Sequence, residues 1–120
     1  MIKNLFSRNI ARAALLFWVA LVAGISIAAA DDIAAGKKTA FDRKKGNCLA
    51  CHMIADGSLP GNIGPPLVAM KARFPDKADL RAQIWDSTAA NPNTIMPPFG
   101  KNRILTEKEI DLITEFIYSL

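Results

Sequence analysis

Apolar side chains recur at helical spacing along much of residues 31–120. The clearest stretch ends the chain, where one helix face collects Ile110, Ile113, Phe116, Ile117 and Leu120. Just before it, Thr106 and Glu109 have the spacing of a capping box. Leu105 and Ile110 occupy the positions of a hydrophobic staple. This pattern predicts a C-terminal helix that begins after Thr106.

The earlier helices are shorter, and the connections between them are long. We predict helices over 32–45, 67–73 and 77–88, and an irregular segment over 89–104. Six of the ten residues from 57 to 66 are glycine or proline, so this segment is predicted to be a loop. Patterns typical of strands are almost absent. The predicted fold class is therefore all-α, with short helices joined by long loops.

Residues 1–30 have a composition of their own. They carry three basic residues and no acidic one, and an uncharged run from Ala13 ends on three alanines. A basic start, an apolar middle and a small-residue end predict a secretory signal peptide cleaved after Ala30. An uncleaved membrane anchor is the alternative, because the uncharged run is just long enough to span a bilayer. We therefore expect a signal peptide at 1–30 and one periplasmic domain at 31–120.

The formal net charge of +4 comes mostly from the first thirty residues. Residues 31–120 hold 12 basic and 11 acidic side chains, so no general basic footprint for nucleic acid remains. A local group of basic side chains lies between Lys37 and Lys45. We expect it to border a docking surface for an acidic partner, and a solvated helix face is the alternative.

One short motif carries the chemistry of the chain, Cys48-Leu49-Ala50-Cys51-His52. This C-x-x-C-H spacing is typical of c-type haem attachment. Two thiols on one helical turn can add to the vinyl groups of the porphyrin, and the next imidazole can bind the iron. We predict one covalent haem c, held by Cys48 and Cys51, with His52 as an axial ligand. A disulfide is the alternative, whereas zinc would need a fourth Cys or His ligand that the chain lacks.

Size supports a cofactor independently of this motif. A loop-rich domain of about ninety residues buries little apolar surface by itself. Small exported domains usually add disulfides or a metal, but a disulfide between Cys48 and Cys51 would constrain little of the unfolded chain. A large, flat, apolar cofactor would supply the missing packing surface, so we expect the haem-free chain to be largely unfolded.

The opposite face of the iron calls for a second ligand, and a His/Met pair raises the reduction potential of an electron carrier. Met53 adjoins His52 and cannot reach that face, and Met70 falls in a predicted helix where apolar packing explains it. Met96 lies in a proline-stiffened loop and is the predicted ligand, with an open or water-bound face as the alternative. We expect the carbonyl of Pro65 to accept the hydrogen bond of the His52 ring.

This arrangement of helices, haem motif and methionine loop resembles class I cytochromes c. Longer strings resemble a narrower family, SoxX, the small monohaem subunit of the SoxAX cytochromes of thiosulfate oxidation. The strings are Lys45-Gly46-Asn47-Cys48-Leu49-Ala50-Cys51-His52, Gly61-Asn62-Ile63-Gly64-Pro65-Pro66-Leu67, Asn91-Pro92-Asn93-Thr94, Met96-Pro97-Pro98-Phe99-Gly100 and Ile104-Leu105-Thr106-Glu107-Lys108-Glu109-Ile110. The resemblance covers about residues 46–120, and the second and fourth strings are its most specific parts.

The resemblance to SoxX implies a function. Members of that family pair with a SoxA-type cytochrome subunit, dihaem or monohaem, which carries the catalytic haem. The complex, an L-cysteine S-thiosulfotransferase, couples thiosulfate oxidatively to a cysteine of the carrier protein SoxYZ, and a downstream cytochrome c accepts the electrons.

On this resemblance the chain is the non-catalytic, electron-relay subunit. It would have no catalytic residue of its own, no nucleic-acid partner and no membrane contact after signal cleavage. A free-standing periplasmic cytochrome c that shuttles electrons is the alternative.

Overall fold

Short helices account for the regular structure of residues 29–120, the part of the chain that the computed structural model describes. They are α1 (29–41), a 3-10 turn (Cys48–Ala50), α2 (Met70–Arg73), α3 (Lys77–Trp85), α4 (Ser87–Ala90) and α5 (Glu107–Tyr118). No strand occurs within this range, and the all-α prediction is confirmed. The predicted signal peptide at 1–30 lies outside the described residues except for its last two positions. Within the described range, none of the helices combines the length and apolar character that a membrane crossing requires.

Helix α5 contributes more side chains to the core than any other helix. Its inward face buries Ile110, Ile113, Phe116 and Ile117. The predicted capping box is present, because the Thr106 hydroxyl accepts from the backbone N–H of Glu109 and the Glu109 carboxylate accepts from the backbone N–H of Thr106 at 2.9 Å. Leu105 is buried beside it, as the staple requires. Local sequence and tertiary burial therefore agree at this helix.

Helix α1 crosses α5 at Gly36. A Cβ atom at this position would collide with the backbone carbonyl of Leu112 and with Cβ of Phe116, so the close approach depends on glycine. One turn further along α1, the ring of Phe41 meets that of Phe116 edge to face, with centroids 5.8 Å apart. The crossing fixes where the chain leaves α1 for the haem-attachment motif.

The end of α1 differs from the prediction. The helix ends at Phe41 rather than at residue 45, and its described part already begins at residue 29 rather than at 32. Asp42 stops it, because its carboxylate accepts from the backbone N–H of Lys44 and its carbonyl accepts from those of Lys45 and Asn47. These bonds form a tight turn that replaces the last predicted helical turn.

The predicted helix at 77–88 is two helices. Asp86 accepts the backbone N–H of Thr88 with its side chain and so caps a new helix, α4, immediately after α3 ends at Trp85. The predicted helix at 67–73 is also shorter, because Ala69 adopts a left-handed conformation, φ 51°, and α2 begins only at Met70. At Asp86 a residue suited to capping overrides an apolar periodicity that continues past it, whereas Ala69 has no capping side chain.

Candidate functional site

A cavity of about 570 Å³ opens between the helices and the long loops. All five residues that the sequence singled out for the site lie on its wall: Cys48, Cys51, His52, Pro65 and Met96. They come from three separate segments of the chain. The volume lies within the range of roughly 300–1,000 Å³ that small-molecule and cofactor sites occupy.

The cavity has two unlike walls. The helical wall consists of Met70, Leu80, Ile84, Ile113 and Ile117, none more than 6% exposed. The loop wall is formed by 43–52, 63–67 and 94–105. Three of its apolar side chains are exposed, Ile63 at 64%, Ile95 at 73% and Ile104 at 46%, whereas Phe99 and Leu105 are buried. The helical wall is thus part of the core, whereas the loop wall presents apolar surface toward the cavity and solvent.

The haem-attachment motif starts at a sharp change of backbone direction. Asn47 is left-handed, φ 47°, and the 3-10 turn from Cys48 to Ala50 follows it. The backbone N–H of His52 then reaches the Cys48 carbonyl at 2.9 Å, which closes a further turn. This local winding brings both thiols and the imidazole to one cavity.

No disulfide joins the two cysteines, and their setting is unlike that of a redox pair. Burial, with a smaller contribution from the neighbouring Cys51, raises the pKa of the Cys48 thiol to about 11. Thioredoxin-like cysteines need the opposite shift, since the thiolate is the reactive form. No cluster of three or more His, Cys, Asp or Glu side chains suited to a metal ion occurs within residues 29–120.

The His52 ring is oriented by the loop opposite it. Its Nδ1 lies 2.7 Å from the carbonyl oxygen of Pro65, so Nδ1–H donates and Nε2 is left for another partner. Gly64 lies against the face of the ring, where a Cβ atom would come within 2.5–2.9 Å of three ring atoms. The carbonyl that fixes the ring and the glycine that makes room for it are thus adjacent in sequence.

Backbone hydrogen bonds bind this loop to the attachment motif. Gly61 N–H donates to the Leu49 carbonyl at 2.7 Å, and Gly64 N–H donates to the Cys51 carbonyl at 2.8 Å. A third bond, 2.9 Å long, joins Leu67 N–H to the Met53 carbonyl. The loop is therefore held along its length and can keep the Pro65 carbonyl in place.

Met96 is held on the other side by side chains of α3, α4 and its own loop. The Ser87 hydroxyl, fully buried, donates to the Met96 carbonyl at 2.6 Å. The Met96 N–H donates to the Thr94 hydroxyl at 3.1 Å. The amide of Gln83 approaches the sulfur itself, with Nε2 3.9 Å from Sδ. Backbone and sulfur of Met96 are therefore held by different residues.

The rim of the cavity is basic. Arg43, Lys44, Lys45 and Arg73 line it, and none of the lining residues in the described range is acidic. The predicted basic group is split by pairing, because Lys37 binds Asp56 at 3.1 Å and Lys45 binds Glu109 at 2.5 Å. Lys44 stays exposed at the rim.

Sequence reasoning missed two polar residues of the site, Arg73 and Gln83. The Arg73 guanidinium donates to the carbonyl of Pro66 at 2.8 Å, next to the carbonyl that holds His52. Gln83 lies three residues after Leu80, on the same face of α3, so helical spacing could have placed it at the cavity. No sequence signal marks Arg73, because its partner is a backbone carbonyl, a group that every residue carries.

A haem fits this set of residues. Two thiols and an imidazole converge at one end of an apolar cavity, Nδ1 of His52 is already committed to Pro65, and a thioether faces the same space. The open apolar side chains of the loop wall suit a flat macrocycle, and the basic rim suits its carboxylate groups.

Comparison with known proteins agrees with this chemistry. Residues 31–117 match the family described as "Cytochrome C oxidase, cbb3-type, subunit III", which covers most of the chain. A search of curated proteins finds no match. The family has the class I cytochrome c type of domain, and C-x-x-C-H at 48–52 is the attachment motif for its cofactor. The chain therefore belongs to this family of cytochrome c domains, and its cofactor is a covalently bound haem c.

Proposed function

We propose that the chain is the electron-relay subunit of a SoxAX-type complex and that His52 and Met96 are the axial ligands of its haem iron. The coarser part of this function, electron transfer by a cytochrome c domain, follows from the family. The observation that carries the ligand assignment is that His52, Met96 and the two cysteines line one cavity although they come from distant parts of the chain.

When bound, haem supplies reversible one-electron chemistry between Fe(III) and Fe(II). The residues of the chain have supporting roles around it. Cys48 and Cys51 would form the thioethers, and Pro65 holds Nδ1 of the His52 ring so that Nε2 would be left for the iron. A His/Met pair leaves no position for a substrate, which suits a relay. The chain has no second histidine and no third cysteine for acid–base or nucleophilic chemistry.

The thiosulfate role rests on the resemblance of the strings at 61–67 and 96–100 to SoxX. On this proposal the catalytic haem belongs to a SoxA-type partner, SoxYZ carries the substrate, and a downstream cytochrome c takes the electrons. The basic rim at Arg43 and Lys44 provides a surface that favours an acidic partner at low ionic strength. Signal-peptide cleavage after Ala30 and a periplasmic location belong to the same proposal.

The decisive experiment is affinity purification of the tagged holoprotein from the periplasm of a cell that oxidises thiosulfate. Recovery of a second, SoxA-type cytochrome that reduces the haem of this chain when thiosulfate and SoxYZ are added supports the proposal. Recovery of the chain alone would instead favour the free-standing shuttle, and recovery with an oxidase would favour the role that the family description names. Mass spectrometry of the purified chain tests cleavage after Ala30 and counts the haems.

Electron transfer to the partner can be tested at the basic rim. Lys44→Glu is expected to slow electron exchange severalfold at low salt and to have little effect at high salt, because charge steering is screened. Lys108→Glu is the matched control, since Lys108 is exposed on α5, lies outside the basic group at 37–45 and does not line the cavity. Equal rates for the two variants at low salt would remove the rim from the proposal.

A further inference from the structure

We propose that Gln83 is a positioning residue for the Met96 sulfur and that its amide raises the reduction potential of the haem by donating a hydrogen bond to that sulfur. The inference rests on the proposed role of Met96 as an axial ligand.

The amide is placed for this contact by α3. Gln83 lies on the cavity wall, and its Nε2 is 3.9 Å from Met96 Sδ. This separation is within reach of a hydrogen bond to sulfur, which is a large and weak acceptor. Within residues 29–120 the sulfur is the one hydrogen-bond partner of this amide. The interaction is therefore specific to the sulfur and does not belong to a wider polar network.

The contact is separable from the anchoring of the loop. Ser87 holds the Met96 carbonyl and Thr94 holds its N–H, so the backbone of Met96 keeps two bonds without Gln83. A change confined to Gln83 should therefore alter the environment of the sulfur without releasing the loop. A change at Ser87 should loosen the loop without altering the donor to the sulfur.

The chemistry predicts the direction of the effect. A thioether sulfur has two lone pairs, one for iron and one that can accept the amide hydrogen. Donation from the amide draws electron density from the sulfur and directs a positive dipole end at the iron in a low-dielectric cavity. Both effects disfavour Fe(III) more than Fe(II), because Fe(III) depends more on electron donation from its ligands. The hydrogen bond therefore raises the reduction potential.

Met70 shows that a polar contact to sulfur does not by itself mark a ligand. Its sulfur accepts from Arg73 Nη1 at 3.5 Å, but Met70 is fully buried in the helical wall and belongs to α2. Met96, by contrast, is only partly buried and lies in a loop, so its sulfur is not fixed by core packing. Of the two sulfurs, we therefore expect only that of Met96 to be oriented by its hydrogen-bond donor.

The test is the midpoint potential of the purified holoprotein, measured by spectroelectrochemistry, for Gln83→Leu, Gln83→Asn and Ser87→Ala. We expect Gln83→Leu to shift the Fe(III)/Fe(II) equilibrium about tenfold toward Fe(III), which is about 59 mV downward for one electron. Gln83→Asn retracts the donor by one methylene group and should lower the potential in the same direction. Ser87→Ala should lower the stability of the protein and should change the potential by less than Gln83→Leu does.

A proton NMR spectrum of the reduced protein provides the second readout. A methyl signal of Met96 shifted strongly by the porphyrin ring should be present in all three variants and should move in both Gln83 variants. Unchanged potential and unchanged methyl signal in both Gln83 variants would overturn the inference. Absence of that signal from the wild-type protein would overturn the ligand assignment of Met96, and with it this inference, whatever the Gln83 variants do.

Discussion

The helical wall and the loop wall of the haem cavity face each other but are built on different principles. The helical wall is buried, comes from α2, α3 and α5, and is continuous with the core. The loop wall carries the attachment motif, Pro65 and Met96, and Ile63, Ile95 and Ile104 on it remain exposed. In this protein stability and chemistry are therefore assigned to opposite sides of one cavity.

The difference teaches what each kind of segment can supply. A helix packs an apolar stripe at regular spacing, which suits a smooth surface for a macrocycle. A loop can present a carbonyl, a thioether or an imidazole at angles that a helix does not offer. It can do so only if its own backbone hydrogen bonds are satisfied, as they are at Gly61, Gly64 and Leu67. Substitutions in the helical wall should therefore mainly change the free energy of unfolding, and substitutions in the loop wall should mainly change the reduction potential.

The largest effect should follow from removing the covalent attachment, because it concerns both walls at once. The double variant Cys48→Ala with Cys51→Ala is expected to lose haem and most of its helical structure, since the loop wall then lacks its packing partner. Far-ultraviolet circular dichroism measures the loss, with the holoprotein as control. A stable helical fold in the haem-free variant would contradict the view that the cofactor completes the core.

The next largest effect is expected for Met70→Ala, a substitution in the helical wall. Removing a fully buried methionine is expected to lower the free energy of unfolding by about 2–5 kcal/mol, because a cavity remains in the core. Denaturant titration of the holoprotein measures this change. Because Met96 is the proposed ligand, the iron spectrum should stay unchanged, and a changed spectrum would show that Met70 acts on the iron.

Met96→Ala is the matched change in the loop wall. We expect the reduction potential to fall by on the order of 0.1 V, within the roughly 0.8 V that axial ligands control, because the thioether no longer favours Fe(II). Added imidazole should then bind the iron, as a spectral titration would show. A variant with unchanged potential and no imidazole binding would assign the sixth position to another group.

A smaller effect is expected at the start of α5. Thr106→Ala removes the hydroxyl of the capping box and should cost about 1 kcal/mol of unfolding free energy without changing the potential. Lys108→Ala, an exposed position on the first turn of the same helix, is the control and should be near neutral. Equal effects at the two positions would mean that the capping box adds nothing measurable.

The smallest effect concerns the ion pair that joins the loop wall to α5. The hydrogen bond from Lys45, together with the Thr106 N–H, lowers the pKa of Glu109 from 4.5 to about 2. Since the folded-state pKa is depressed, the stabilisation is present above pH 4.5 and is lost as the pH falls from about 4.5 to 2. The pair is partly exposed, so we expect about 1 kcal/mol or less.

Glu109→Gln isolates this contribution. The difference in unfolding free energy between the wild-type protein and the variant should be largest at neutral pH and should shrink across that acidic window. A difference that does not change with pH would show that packing, and not ionisation, makes Glu109 important.

Much of the fold could be predicted because it is encoded locally. The capping box at Thr106 and the apolar face of α5 are both explicit in the sequence, and both are present. Two of the errors occur where a side chain bonds to its own backbone neighbourhood. Asp42 and Asp86 ended helices that periodicity would have continued, because a carboxylate that captures nearby N–H groups competes with the helix.

The sequence by itself determined the chemistry, because two cysteines and the only histidine stand in a spacing that serves one cofactor. It also singled out Pro65 and Met96 as candidates from their loops. Only the tertiary structure decided which other groups meet these loops: Gln83 at the Met96 sulfur, Ser87 at the Met96 carbonyl, and Arg73 at the carbonyl of Pro66. The physical reason is that helix periodicity and attachment motifs are set by neighbours in the chain, whereas contacts between a loop and a remote helix depend on how the whole chain packs.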